Sequence, residues 1–270
     1  MAGAVSTAAG APRDPRFSNP TEAGKPMIEI RNLRKSFGKL EVLKGVNLTI
    51  TEGSTTVILG GSGSGKSVLM KHMIGLLRPD AGEVLIEGER FDNVSEHERQ
   101  RVRGKFGMVF QQAALFDSMT IFDNVAFPLR EHTKKSEAEI RTEVQKKLDQ
   151  VGLKSKATNF PDELSGGQRK RIGLARALAL DPKIVLYDEP TTGLDPITTD
   201  SVDQMVIDAK RNYGVTSVII SHDIGSAFKV ADHMAVIYQG EILADGKPEQ
   251  VRQSQDPFVK KLFSLWFDRS

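Results

Sequence analysis

A short glycine-rich segment, residues 60–67, constrains the fold of this chain more than any other feature. It reads Gly-Gly-Ser-Gly-Ser-Gly-Lys-Ser and fits the pattern G-x-x-x-x-G-K-S. The apolar run Val57-Ile58-Leu59 precedes it as a strand, and residues 68–74 follow it as a helix. In this context glycines let successive backbone N–H groups point at phosphate oxygens, and the helix adds its positive N-terminal end. A flexible Gly/Ser turn is the alternative, but the strand–loop–helix order favours a phosphate-binding loop.

The same pattern predicts what each part of the loop does. The Lys66 ammonium group is expected to reach the β- and γ-phosphates of a nucleoside triphosphate, and the Ser67 hydroxyl to bind Mg²⁺. The expected nucleotide contacts of this segment are Gly60, Gly61, Ser62, Gly63, Ser64, Gly65, Lys66, Ser67 and Val68.

The composition narrows the function classes. With 270 residues, 39% of them hydrophobic and 27% charged, the chain is typical of a globular protein with a substantial core. A net charge of +2 provides no electrostatic case for a nucleic-acid binder. The absence of cysteine excludes disulfides, thiol catalysis and cysteine-bound zinc. No apolar run approaches the ~20 residues that span a bilayer, so the chain is not expected to cross a membrane alone.

The first third of the chain predicts mixed strands around one helix. Residues 1–25 are rich in Ala, Gly, Pro and Ser and lack the apolar stretch of a signal peptide, so we expect a disordered tail and a cytoplasmic protein. Strands are expected at Met27–Leu33 and at Val42–Ile50, the second broken at Lys44-Gly45.

The rest of the chain predicts an α/β fold. Capping boxes that begin at Ser95, Ser136 and Ser165 indicate three helix starts. Residues 112–164 are typical of a mostly helical insertion. The later apolar strands alternate with helices, which predicts a largely parallel sheet covered on both faces.

Two carboxylates follow an apolar strand in the second half of the chain. Ile184-Val185-Leu186-Tyr187 leads directly into Asp188 and Glu189. A carboxylate at the end of a strand beside a phosphate-binding loop can hold Mg²⁺, so we expect Asp188 to do so. The next carboxylate, Glu189, can orient and deprotonate the attacking water. The alternative is a pair of acidic residues that cap a turn before Pro190.

Several further motifs identify the family that the chain resembles. Leu164-Ser165-Gly166-Gly167-Gln168 matches the LSGGQ signature of the ATP-binding subunits of ABC transporters. Four other residues match the family's Q-loop, D-loop, switch histidine and adenine-stacking aromatic, namely Gln111, Asp195, His222 and Phe37. The resemblance runs from Met27 to Val251. It implies a P-loop NTPase cassette over residues 26–251, with a RecA-like core, an antiparallel β-subdomain and an inserted α-helical subdomain at about 112–164.

The resemblance also implies roles for these residues in an ATPase that works as a homodimer. In this family Ser165, Gly166, Gly167 and Gln168 act on the ATP that the other subunit holds. Lys66, Glu189 and His222 are the expected catalytic residues, and His222 is expected to contact the γ-phosphate. Gln111 is expected to sense Mg²⁺ and the γ-phosphate, Asp195 to complete the ATP site, and Phe37 to stack on adenine. Taken singly, Ser165 reads as a helix N-cap, His222 as a structural histidine and Phe37 as a core aromatic.

A narrower resemblance concerns the transported substance. Residues 61–72, 114–120, 124–132 and 169–177 resemble the Mla-type, or MCE-associated, phospholipid-transport ATPases. This implies work at the cytoplasmic face of a bacterial inner membrane, with an MlaE-like permease and an MlaD-like MCE-domain protein. A STAS-domain accessory protein is a further partner in some such systems. The alternatives are a transporter for an amino acid, an ion or a lipoprotein, and a soluble ABC ATPase of translation or DNA repair.

Two apolar segments are candidate partner surfaces. One set is expected to line the groove that holds the permease, with the core of the helical subdomain as the alternative: Leu115, Phe116, Ile121, Phe122, Val125 and Phe127. The other lies in an apolar tail at residues 252–270: Phe258, Leu262, Phe263, Leu265, Trp266 and Phe267. The tail could pack on its own domain, on a second ATPase or on an accessory subunit, and a membrane-surface helix is less favoured.

Overall fold

A six-stranded sheet lies at the centre of the fold, in a computed structural model that describes residues 24–267. Neighbouring strands run parallel except at one edge, where the strands His233–Tyr238 and Glu241–Gly246 pair antiparallel. Numbered in chain order and given in spatial order, the strands are β10 (Glu241–Gly246), β9 (His233–Tyr238), β3 (Thr55–Leu59), β8 (Thr216–Ser221), β7 (Ile184–Asp188) and β6 (Phe106–Val109). Every residue of β3 and β8 is buried, as in a sheet that is covered on both faces.

A second, antiparallel sheet has four strands in the order β2 (Leu40–Thr51), β1 (Pro26–Phe37), β4 (Ala81–Ile86) and β5 (Glu89–Arg90). The predicted break at Lys44-Gly45 is wrong, because β2 continues through it. The register passes from Leu33 opposite Val46 to Arg34 opposite Lys44, so Gly45 has no cross-strand partner and forms a bulge. A φ of 92° at Gly45, which favours glycine, allows the strand to continue.

Nine helices cover the sheets within the described residues, and the three predicted capping boxes at Ser95, Ser136 and Ser165 are confirmed. Short 3-10 turns at Lys154–Lys156 and Pro161–Glu163 connect the helix Glu137–Gln150 to the helix Gly166–Ala177. The helices are α1 (Lys66–Met73), α2 (Glu96–Arg103), α3 (Ile121–His132), α4 (Glu137–Gln150), α5 (Gly166–Ala177), α6 (Pro196–Tyr213), α7 (Ile224–Val230), α8 (Pro248–Arg252) and α9 (Pro257–Phe267).

Three apolar cores hold these layers together. The first lies between the antiparallel sheet, α1 and one face of the parallel sheet. The second covers the other face of the parallel sheet with α6, α7 and α9. The third joins α3, α4 and one side of α5. Helix α5 contributes Leu174 to the second core and Ile172 to the third, so it connects the helices of residues 112–164 to the main body.

The predicted tails differ in what the structure describes. The N-terminal tail lies outside the described residues except for Gly24 and Lys25. In the C-terminal segment, α9 packs on its own domain, where Val259 and Phe263 are buried in the second core. Leu265 remains 51% exposed on the outer side of α9. None of the helices in residues 24–267 combines the length and the apolar character needed to span a membrane.

Candidate nucleotide site

Three adjacent parallel strands end together and bring the predicted catalytic residues to one edge of the sheet. Leu59 at the end of β3 pairs with Ser221, and Asp188 at the end of β7 pairs with Ile220. The residues that follow these strands are Gly60, Glu189 and His222. The carboxyl edge of parallel strands is where α/β sheets bind ligands.

The glycine-rich loop leaves β3 tightly packed against its neighbours. A Cβ on Gly60 would lie 2.5 Å from the Ile237 carbonyl oxygen, and Gly65 begins α1 with a φ of 107°. Both positions therefore favour glycine. The Lys66 ammonium group is nearly buried and donates to the carbonyl oxygens of Gly60 and Gly61 at 2.6 and 3.0 Å.

Glu189 lies between two of the other predicted catalytic groups. Its Oε1 is 3.5 Å from Lys66 Nζ, and its Oε2 is 2.7 Å from His222 Nδ1. The carboxylate is 17% exposed and the imidazole is 57% exposed, so the pair faces solvent on the histidine side. The backbone of Glu189 has a φ of 48°, a left-handed conformation that costs about 1–3 kcal/mol and clusters at functional sites.

The residues predicted to hold Mg²⁺ suit a hard cation. Burial, and secondarily the Glu189 charge, raise the pKa of the Asp188 carboxyl. Within residues 24–267 neither that carboxylate nor the Ser67 hydroxyl makes a side-chain hydrogen bond. No group of three His, Cys, Asp or Glu side chains in this range has metal-ligand geometry. A carboxylate, a hydroxyl and an amide provide the sparse oxygen set that Mg²⁺ supplements with water and phosphate.

Gln111 supplies the amide of that set. It lies two residues beyond the end of β6, which pairs in parallel with β7. This places it at the same sheet edge as Asp188, and its side chain is exposed. Its contact with Mg²⁺ or the γ-phosphate stays a prediction.

The signature residues form a separate polar surface at the start of α5. Ser165 caps the helix: its Oγ accepts from the Gln168 N–H at 3.3 Å, while Gln168 Oε1 accepts from the Ser165 N–H at 3.0 Å. Asp195 caps α6 by accepting from the Thr198 N–H at 3.0 Å. The side-chain hydrogen bonds of these residues lie within their own helix turns, and within residues 24–267 none reaches Lys66 or Glu189.

Phe37 and the predicted groove residues lie further out. The Phe37 ring at the end of β1 is 48% exposed, and the Lys35 ammonium group lies 5.7 Å from its centroid. The predicted groove set divides in two. Ile121 and Val125 are fully buried in the third core, whereas Phe116 and Phe127 line a groove of about 810 Å³ and contact each other at 5.0 Å between ring centroids.

The hydrogen bonds of three further side chains were not predicted from the sequence. Thr192 Oγ1 donates to Glu189 Oε2 at 3.0 Å, and Lys170 Nζ donates to the Pro190 carbonyl oxygen. The Arg176 guanidinium donates to the Ala114 and Ala113 carbonyl oxygens, both at 2.8 Å. Only Thr192 carries a local signal, because a hydroxyl three residues after a carboxylate can turn back to it.

Known proteins resemble this chain over most of its length. A profile of the ABC transporter family matches residues 43–192. The chain is 46% identical over 244 residues to the protein named "Probable ribonucleotide transport ATP-binding protein mkl" of Mycobacterium tuberculosis, covering 89% of this chain and 68% of that protein. It is 41% identical over 230 residues to "Intermembrane phospholipid transport system ATP-binding protein MlaF" of Haemophilus influenzae, covering 85% of this chain and 87% of that protein.

Solved structures share the same architecture. The cbiO1 protein of Clostridium perfringens, part of the ABC transporter complex cbiONQ, superimposes with a TM-score of 0.80 at 30% identity, covering 91% of this chain and 97% of that one. The ATP-binding cassette MJ0796, in a dimeric post-hydrolysis state with ADP and Pi, superimposes with a TM-score of 0.74 at 34% identity, covering 82% of this chain and 99% of that one.

Proposed function

The chain belongs to the ABC transporter family of ATP-binding proteins, and from that premise we propose that it drives phospholipid transport between bacterial membranes. It is the ATPase subunit of an ABC transporter and has the P-loop ABC cassette fold. We propose the transported substance, the partner proteins and the roles of individual residues.

One observation carries the assignment of the catalytic residues. The Glu189 carboxylate lies between the Lys66 ammonium group and the His222 imidazole, at the end of the strand beside the glycine-rich loop. With ATP in the loop, Lys66 turns from the Gly60 and Gly61 carbonyl oxygens to the phosphates. Glu189 then accepts a proton from the attacking water, and His222 orients that water and the γ-phosphate. Phe37 stacks on the adenine ring.

The site needs a second copy of the chain. Ser165 is exposed and Gly166, Gly167 and Gln168 are half-buried at a helix N-terminus, a good place for an anion, and none of them is hydrogen-bonded to the Lys66 site within residues 24–267. In a head-to-tail homodimer the start of α5 in one copy covers the ATP on the other copy's glycine-rich loop. Asp195, at the start of α6 beside it, completes the same surface.

Mg²⁺ fits the same site. Ser67, Asp188 and Gln111 would hold it, and it would supply positive charge to offset that of the β- and γ-phosphates. The raised pKa of Asp188 supports this assignment, because a cation offsets the cost of burying that carboxylate.

Phospholipid is the cargo that the relatives favour. The MlaF protein is matched along 87% of its length, whereas the mkl protein, which is named for ribonucleotide transport, is matched along 68%. We therefore place the chain on the cytoplasmic face of an inner membrane, bound to an MlaE-like permease that works with an MlaD-like MCE protein. A STAS-domain protein is a candidate accessory subunit. The groove with Phe116 and Phe127 is the proposed permease contact.

Two experiments test the proposal. Purification of the intact membrane complex, followed by mass spectrometry of what it retains, should reveal bound phospholipid and an MCE-domain protein. Ribonucleotide, amino acid or lipoprotein in its place would replace the proposed cargo. Separately, Glu189→Gln should abolish steady-state ATP hydrolysis, and turnover at the wild-type rate would remove Glu189 from the role of base.

A further inference from the structure

Lys170 is a buried lysine with no carboxylate partner among residues 24–267. It lies on α5, is 5% exposed, and donates to the carbonyl oxygen of Pro190. Burial without a counter-charge lowers its pKa. A buried charge with one neutral acceptor destabilises a fold compared with an apolar side chain of the same size. Packing alone therefore does not account for a lysine at this position.

The acceptor of this hydrogen bond adjoins the catalytic carboxylate. Pro190 follows Glu189, whose φ of 48° is a strained left-handed conformation. The Glu189 N–H is fixed by the Ile220 carbonyl oxygen at 2.9 Å, which anchors the loop on the side of β8. The proline ring fixes its own φ, so a hydrogen bond to its carbonyl restrains the remaining soft torsion. Lys170 thus anchors the loop on the side of α5.

The same helix begins at the signature residues. Ser165 caps α5, and Lys170 lies on its second turn. A Cβ on Gly167 would lie 2.8 Å from Thr198 Cγ2, so the first turn is also packed against α6. Backbone hydrogen bonds such as that from the Arg169 N–H to the Ser165 carbonyl oxygen join the first turn of α5 to the second, so a displacement of the first turn moves Lys170 with it.

We propose that Lys170 is a positioning residue that holds the Glu189 carboxylate in place to accept a proton from the attacking water and ties it to the helix that covers the partner copy's ATP. The inference rests on the proposed function, in which Glu189 is the base and α5 acts across the dimer. Binding of ATP at one site then changes the position of the Glu189 carboxylate at the other site. A chain without this hydrogen bond binds ATP normally and hydrolyses it slowly.

The test compares steady-state ATP hydrolysis by the full-length chain as wild type and as Lys170→Met, Lys170→Gln and Lys170→Arg. Lys147→Met is the matched control. Lys147 is also a buried lysine on a helix, α4, but it donates a hydrogen bond to the Asp181 carboxylate at 2.6 Å. Fluorescent-ATP binding and thermal unfolding are measured on every variant. These two readouts separate a change in the catalytic step from loss of nucleotide affinity or of folded protein.

We expect Lys170→Met to lower kcat at least about tenfold, since small misplacements of a catalytic group have effects of this order, with KM changed less than about twofold. The Hill coefficient for ATP should fall towards one. Lys170→Arg and Lys170→Gln keep a donor and should retain several-fold more activity than the methionine variant. Lys147→Met should hydrolyse ATP within about twofold of wild type.

Two outcomes would overturn the proposal. One is a kcat for folded Lys170→Met within about twofold of wild type. The other is an arginine variant that is folded, binds ATP and is as inactive as the methionine variant. If the methionine variant does not fold, the kcat values of the folded arginine and glutamine variants are compared with that of wild type by the same criteria. Ser165→Ala, assayed in parallel, separates the two hypotheses: unchanged turnover there contradicts the dimeric site but leaves the kcat comparison at Lys170 valid.

Discussion

Asp188, which we propose binds Mg²⁺, lowers the stability of the folded chain. Its carboxylate is half-buried at the end of β7, and burial raises its pKa, with Glu189 as a second contributor. A carboxyl group whose pKa is raised by folding destabilises the folded state once it is ionised. The loss of stability therefore sets in as pH rises through the unfolded pKa and is complete above the folded pKa. A bound cation at the proposed Mg²⁺ site would reverse this effect.

The first prediction follows from that cost. Asp188→Asn should raise the thermal unfolding midpoint of the nucleotide-free chain at pH 7, by about 2–4 °C for each ~1 kcal/mol recovered, while ATP hydrolysis is lost. Differential scanning fluorimetry in the presence of a chelator measures the first effect. Asp80→Asn is the control of opposite sign, because the Lys35 and Ser36 hydrogen bonds lower the pKa of Asp80. A midpoint unchanged or lowered in Asp188→Asn would contradict the prediction.

Among single residues, those of the candidate site whose spacing is fixed by a motif could be proposed from the sequence. The motif and the two strand ends beside it predict the positions of Lys66, Ser67, Asp188 and Glu189, because these features are local in the sequence. Lys170 could not be reached, since its acceptor is 20 positions away and depends on how α5 packs beside β7. Arg176 is separated from its two acceptors by 62 and 63 positions.

At the scale of elements, α5 holds a strained loop near the proposed permease groove. Ala113 and Ala114 have φ values of 61° and 46°, two successive left-handed residues that are not glycine. Each costs about 1–2 kcal/mol. Arg176 donates to both carbonyl oxygens, and its guanidinium lies 5.8 Å from the Phe116 ring centroid. One side chain of α5 therefore stabilises the segment that leads from Gln111 to the groove.

The second prediction concerns a variant that lacks the Arg176 guanidinium. Arg176→Met should raise amide hydrogen exchange over residues 112–118 about tenfold, because two hydrogen bonds from a charged donor no longer oppose the backbone strain. Exchange measured by mass spectrometry on the full chain reports this. Adding Ala114→Gly should slow the exchange again, since glycine relieves the left-handed strain. Arg169→Met is the control: Arg169 is also on α5 but donates to the Leu164 carbonyl oxygen. Equal exchange in both variants would contradict the prediction.

The elements themselves divide according to how local their cause is. Capping boxes at Ser95, Ser136 and Ser165 predicted helix starts correctly, because both partners of the box lie within one turn. The bulge at Gly45 was mistaken for a strand break, since a bulge is defined by the register of the neighbouring strand, β1. The division of the apolar residues of α3 between core and groove likewise depends on its packing against α5.

At the scale of the whole molecule, Glu87 connects the two sheets. It lies in the turn between β4 and β5 of the antiparallel sheet and accepts hydrogen bonds from Lys105, just before β6, and Lys183, just before β7. These hydrogen bonds lower the pKa of the Glu87 carboxyl from 4.5 to about 2, and the one from Lys105 contributes most. When folding lowers the pKa of a carboxyl group, the ionised group stabilises the folded state at pH values above its pKa in the unfolded chain. This contribution is lost as pH falls through its pKa in the folded chain.

The third prediction concerns that junction. Glu87→Gln should lower the free energy of unfolding at pH 7 by about 1–2 kcal/mol, below the full value of the shift because solvent screens the pair. The deficit relative to wild type should shrink as pH falls from 4.5 and disappear below about 2, where both chains carry a neutral group. Urea unfolding at several pH values measures both effects. Glu137→Gln breaks the exposed pair with Arg130 and should destabilise less. A deficit independent of pH would assign the effect of Glu87→Gln to packing.

The last prediction concerns association of two whole chains. Glu189→Gln keeps the size and shape of the side chain between Lys66 and His222 but has no carboxylate to accept a proton. It also removes a negative charge from beside the γ-phosphate, so ATP should bind more tightly. With ATP and Mg²⁺ the variant should therefore persist as a species of twice the 29.7 kDa mass of one chain. ADP should leave it monomeric.

Mass photometry or size-exclusion chromatography with light scattering detects this species. The control is Glu189→Gln combined with Ser165→Ala, which removes the hydroxyl that we propose each copy presents to the other's ATP. This double variant should bind ATP and remain monomeric, because the proposed contact across the dimer is weakened while the glycine-rich loop is intact. If both variants dimerise equally with ATP, the start of α5 does not bind the partner copy's nucleotide, and the two chains must associate through a different surface.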